Sequence, residues 1–244
     1  MAETAVSDQQ ALAGFLDKWR ARWPEWSVAE VFVPPAQREV AVAWFALLQE
    51  LLDAAWSGSD PTPGQAKLGW WAEELQGWSQ GRRRHPLGIA LQRRPAPWAS
   101  LAATLPALLA TRGPAGDADL AFGALHPVAA RVDELTQVLF AMGGPDQPAD
   151  ATAGLLAQHL MLVGDAAVPL RIRARAKTND GNAHALAWAN ELLQRWPSAC
   201  GARPQRIFMI LLHGRIRRFA CGGDFAQPLP RMATLWGAWR AARD

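Results

Sequence analysis

Apolar residues recur along most of the chain at spacings of three and four, the period of an amphipathic helix. The clearest case is the stretch 67–91, KLGWWAEELQGWSQGRRRHPLGIAL. Leu68, Trp71, Leu75 and Trp78 share one face there. Glu73 and Glu74 fall between them and include the outward side. Pro63 and Gly64 precede the stretch, Gly81 is placed to stop the helix, and Pro86 cannot continue it. Arg82, Arg83, Arg84 and His85 form a cationic corner between those breakers, and Leu87, Ile89 and Leu91 resume the apolar pattern.

The same reading gives the remaining elements. Ser7 and Gln10 form a capping-box pattern ahead of a stripe of Leu12, Phe15, Leu16 and Trp19. Residues 28–33 read as an extended linker. A second helix starts at Pro34-Pro35 and runs to about Trp56, before a turn-rich loop at 58–64. Pro95 and Pro97 open a helix that Pro106 interrupts. Two helical segments are expected near 117–125 and 127–142, divided at Pro127. Residues 149–165 carry another stripe, and 169–177 alternate apolar with basic, as a short strand or extended loop. Helices over 180–196, 203–219 and 230–243 complete the chain. The break at 143–150 is the best candidate boundary, but no change of composition accompanies it, so one all-α domain over 1–244 is preferred.

Composition agrees with helix. Of 244 residues, 50% are hydrophobic and 19% charged, and β-branched runs are few, which describes a globular helical chain. A net charge of +3 is too small for an obligate nucleic-acid binder, and no stacking platform accompanies the basic runs. Two cysteines, Cys200 and Cys221, do not make a disulfide framework. No signal-peptide pattern opens the sequence and no long uncharged apolar run crosses a membrane, so a cytoplasmic protein is expected, with peripheral membrane attachment left open. Nucleotide-binding loops, dinucleotide fingerprints, nucleophile elbows and zinc-ligand spacings are all missing from the sequence. His159 sits on an apolar face as a core histidine.

The order of features in 67–91 resembles the squalene/phytoene synthase family: Lys67-Leu68 and Trp71 on one helix, a Trp70-Trp71 pair, Glu73-Glu74, Gly81, then His85-Pro86 and an apolar helix. The resemblance runs over about 31–174. It implies an isoprenoid-synthase-type helical bundle around a central cavity, and head-to-head condensation of two isoprenyl diphosphates. In that family two acidic clusters on facing helices hold Mg²⁺, which holds the diphosphate. On this chain the first cluster corresponds to Glu50 and Asp53, with Gln49 where an acid is expected and Ala46 in place of a preceding cation. The second corresponds to Gly154, Gln158 and Asp165, with Met161 and Pro169 where oxygen ligands are expected. Glu50, Asp53 and Asp165 are therefore the candidate catalytic and metal residues. Arg82, Arg83, Arg84, His85 and Gln158 are the candidate substrate-binding residues, since guanidinium groups grip diphosphate. The competing reading makes Glu50 and Asp53 solvated helix residues, Asp165 a helix-end residue and the arginines a solvated corner. The loss of ligands favours a divergent relative that binds an isoprenoid or lipid ligand, or a protein partner, without normal synthase activity. The alternative is an active Mg²⁺-dependent prenyltransferase.

Overall fold

A computed structural model describes residues 2–140, 150–176 and 181–243. Among the described residues, twelve α-helices and two short 3₁₀ turns account for the regular structure, and no strand occurs. The helices are α1 (Ala2–Arg22), α2 (Trp26–Ala29), α3 (Pro35–Trp56), α4 (Thr62–Ser79), α5 (Gly88–Leu91) and α6 (Trp98–Ala110). They continue with α7 (Ala118–Phe140), α8 (Thr152–Val163), α9 (Leu170–Arg175), α10 (Gly181–Gln194), α11 (Arg203–Ala220) and α12 (Arg231–Arg243).

The core is built around α3. From Val40 to Trp56 every residue of this helix is buried except Asp53. A helix buried on nearly every side has to be enclosed by neighbours, and α1, α4, α5, α6 and α8 enclose it. Trp44 and Trp56 anchor it by donating their indole N–H to Thr136 Oγ1 and Thr111 Oγ1, each at 3.0 Å. The expected face of α4 holds: Leu68, Trp71, Leu75 and Trp78 are all buried. Gly81 ends the segment at φ +78°, a conformation that a side chain resists.

Several local expectations change. Ser7 lies inside α1 and caps nothing. Residues 28–33 are not extended: α2 is followed by a 3₁₀ turn over Glu30–Phe32, because burial of Trp26 and Ala29, three residues apart, winds the segment. Pro63 and Gly64 belong to the first turn of α4, where a proline costs no hydrogen bond. The backbone N–H of Thr62 is met by Asp60 Oδ1 at 2.9 Å.

Pro127 does not divide 117–142. It lies exposed inside α7, where water can serve the carbonyl it leaves unpaired, while Leu125, Val128, Ala129 and Val132 keep one buried face continuous. Most of the expected break at 143–150 falls outside the described residues. Residues 170–175 are helical instead of extended. Pro169 precedes α9, and the first N–H groups of that helix, on Leu170 and Arg171, donate to Ala115 and Gly116 carbonyls at 2.9 Å. Lys177 lies outside the described residues.

Candidate functional site

Glu50 and Asp53 stand one turn apart near the C-terminal end of α3, as two acids in the same register must. Each is already matched by cations. Glu50 takes Lys18 Nζ of α1 on one oxygen at 2.6 Å and Lys67 Nζ of α4 on the other at 2.7 Å. Asp53 accepts from Arg22 Nη1 at 3.1 Å and from Gln49 Nε2 at 2.9 Å. Gln49, standing where a third acid was expected, is therefore a donor to the acid next to it. Burial alone would raise the Glu50 pKa; the hydrogen bonds and charges of the two lysines outweigh it and hold the carboxyl below its ordinary value.

Asp165 has different neighbours. α8 ends at Val163, and Gly164 turns the chain at φ +57° into a 3₁₀ turn that carries Asp165 off the helix face. Its carboxylate meets His184 Nδ1 at 3.0 Å and Arg173 Nη1 at 3.8 Å. None of the cations on Glu50 and Asp53 is shared with Asp165. Gln158 is buried, and its amide faces its own helix at the Gly154 carbonyl, 3.4 Å away. Gly154 is needed for another reason: a Cβ there would lie 2.6 Å from Met209 Sδ of α11.

A Mg²⁺ ion shared between the two helices needs converging oxygen ligands. Among the described residues no group of three or more His, Cys, Asp or Glu side chains is placed to hold a metal. The donor set is also unsuited in chemistry, since ammonium and guanidinium groups already neutralise each acid. The residues present do not fit the expected ion.

The cationic corner is organised by a residue whose burial the periodicity does not reveal. Glu74, one of the two acids that fall between the apolar positions, points inward and is almost fully buried. Its Oε1 accepts from the backbone N–H of Arg84 at 2.7 Å, that of His85 at 2.8 Å and Trp78 Nε1 at 2.8 Å. Its Oε2 accepts from Arg84 Nε at 3.0 Å. Burial pushes this carboxyl up, yet the four donors hold it below its ordinary value.

The corner is thus a turn pinned onto α4. Arg84 is bound to Glu73 and Glu74 and lies over Trp70, Arg83 reaches Asp8 at 3.6 Å, and Arg82 donates to Gln80. These arginines and the two glutamates line an open groove of about 520 Å³. His85 turns away from the arginines. Its ring lies 4.5 Å from those of Phe15 and Trp71, and its Nδ1 accepts from the Leu87 N–H at 3.2 Å. Burial drives its pKa down to about 4, so it is a neutral packing group at neutral pH.

Two further polar centres emerge only in three dimensions. Glu25 is fully enclosed with Arg215 of α11, and Asp133 of α7 accepts from the Ala151 N–H at 3.0 Å and from Gln205 of α11. A smaller cavity of about 190 Å³ lies beside α11, lined by Trp196, Cys200, Met209, Ile210 and His213. No family model matches the chain, and no curated protein is significantly similar to it.

Proposed function

We propose that this protein is a divergent relative of the squalene/phytoene synthases that binds an isoprenoid or lipid-like ligand, or a partner protein, without condensing isoprenyl diphosphates. The observation that carries this reading is the state of the candidate acids. Glu50, Asp53 and Asp165 are each paired with a lysine or arginine side chain, and no metal-holding group forms among the described residues. Departure of diphosphate requires that its growing charge be met by preorganised cations. Lysines and arginines tied to acids are poorly placed to meet it. A ligand tail would have the apolar cavity beside α11, which at about 190 Å³ is smaller than the ~300–1,000 Å³ of drug-sized sites.

One observation favours an active prenyltransferase instead. The lysines on Glu50 are solvated, so an incoming metal–diphosphate has a route to displace them. Incubation with farnesyl or geranylgeranyl diphosphate and Mg²⁺, followed by assay of released diphosphate, separates the two. The non-catalytic reading expects no release above background. Robust Mg²⁺-dependent release, lost in Asp53→Ala or Asp165→Ala, would establish the transferase.

A further inference from the structure

A helix on the outside of a bundle normally turns its polar side to water. α12 does the reverse. Its inward face consists of small residues, Thr234, Ala238 and Ala241, which let it lie close against α11 and α2. Its outward face carries Met232, Leu235, Trp236 and Trp239, at the 3, 4 and 7 spacing of a single stripe. Met232 is 75% exposed and Trp236 61%. The two indoles are stacked with centroids 4.9 Å apart, and Arg243 lies over the Trp239 ring at 4.5 Å. Val31, in the 3₁₀ turn that packs on α12, adds another exposed apolar side chain.

Charge decides among possible occupants. At 100° per residue, Arg231 and Arg240 fall on opposite edges of the apolar stripe, and Arg243 falls on the stripe at its C-terminal end. No acidic residue occurs in α12. The nearest acid on the packed 3₁₀ turn, Glu30, faces Arg20 at 4.0 Å. Two copies of such a face would bring arginines against arginines. Anionic headgroups would instead meet all three, while the indoles occupy the level between headgroup and acyl chain that amphipathic rings prefer.

We propose that the outer face of α12 docks this protein onto a phospholipid surface bearing anionic headgroups, with Trp236 and Trp239 inserted and Arg231, Arg240 and Arg243 at headgroup level. This assignment does not rest on the isoprenoid reading, and its test reads no diphosphate chemistry.

The full chain is sedimented with vesicles of phosphatidylcholine alone and of phosphatidylcholine mixed with phosphatidylglycerol. Binding is expected on the mixed vesicles and should weaken as salt is raised. Trp236→Glu and Met232→Glu alter outward side chains at different turns. Each should retain the parent's circular dichroism and lose about tenfold or more of the vesicle affinity. Arg231→Glu combined with Arg240→Glu should abolish the preference for anionic vesicles. The proposal is overturned if the parent does not sediment with mixed vesicles, or if both stripe variants bind as well as the parent. It is also overturned if the parent is a vesicle-indifferent dimer that Trp236→Glu dissociates, which would assign the face to a second copy.

Discussion

Glu25 and Glu50 are both buried acids held by basic groups, and the contrast between them separates a structural lock from an exchangeable pair. Glu25 accepts from Arg215 Nε at 2.8 Å and Nη2 at 2.6 Å, with a third donor, the Leu229 N–H, at 3.0 Å. Neither partner reaches water: side-chain exposures are 0% for Glu25 and 5% for Arg215. The guanidinium also donates to the Arg22 carbonyl at 3.0 Å and lies 4.0 Å over Trp23. Glu50 is nearly as enclosed, at 8%, but its lysines are 64% and 45% exposed. Their charges remain hydrated, so either ammonium can leave at small cost. Arg215 has nowhere else to go.

The largest expected effect breaks the locked pair. Arg215→Ala leaves Glu25 charged and uncompensated, and urea unfolding should register a loss of about 3–5 kcal/mol. Replacing both partners with apolar residues of similar size should recover most of that loss, because a fully apolar contact needs no compensating charge.

Acid should act next, and in two windows. His85 and His159 both have pKa values driven down by burial from 6.5 to about 4. His159 is the core histidine its apolar face implied, stacked on Trp56 at 4.3 Å with its buried Nε2 meeting no protein partner. Between those values the unfolded chain binds more protons than the fold. Stability is therefore complete above pH 6.5 and declines toward pH 4, by at most about 3 kcal/mol for His159. Urea titrations across that range should lose most of the slope in a His85→Gln, His159→Gln double variant.

Glu25 and Glu50 behave differently, since both are held below 4.5. For Glu25, burial opposes this shift and Arg215 outweighs it. Their contribution is complete above pH 4.5 and disappears as pH falls through the depressed values. Arg215→Ala should remove the Glu25 part of this second window and leave the Glu50 part.

The smallest effect sharpens the contrast from the other side. Lys18→Ala should cost about 1 kcal/mol or less, since its ammonium is solvated and Lys67 remains on the second oxygen. A loss comparable with Arg215→Ala would make the Glu50 pair a lock as well.

Which of these features can be read from the chain follows from the range of the interaction. Periodicity is local, so the stripes of α1 and α4 and the stop at Gly81 were visible in the residues themselves. The burial of Glu74 was not: its spacing from Trp71 and Trp78 sets it at the edge of the apolar face, and only the backbone donors of Arg84 and His85, ten and eleven positions away, make a buried carboxylate tolerable there. Glu25 lies 190 positions from Arg215, and no short-range pattern links them. Pro127 and the alternating 169–177 segment misled because tertiary burial and distant carbonyls outweighed local preference. The candidate acids were found as residues, but their ammonium and guanidinium partners come from α1, α4, α9 and Gly164's redirection of the chain, which spacing along one helix does not encode.

The distribution of tryptophans gives the molecule an optical consequence. Of thirteen indoles, nine are buried, Trp70, Trp196 and Trp239 are half-buried, and Trp236 alone is exposed. There is no tyrosine to add its own emission. Emission at the red edge of the band should therefore come chiefly from Trp236, and a water-borne quencher should reach it well before the others. The chain thus carries a built-in fluorescent reporter on the outer face of α12, readable without any label and set against a blue-emitting interior.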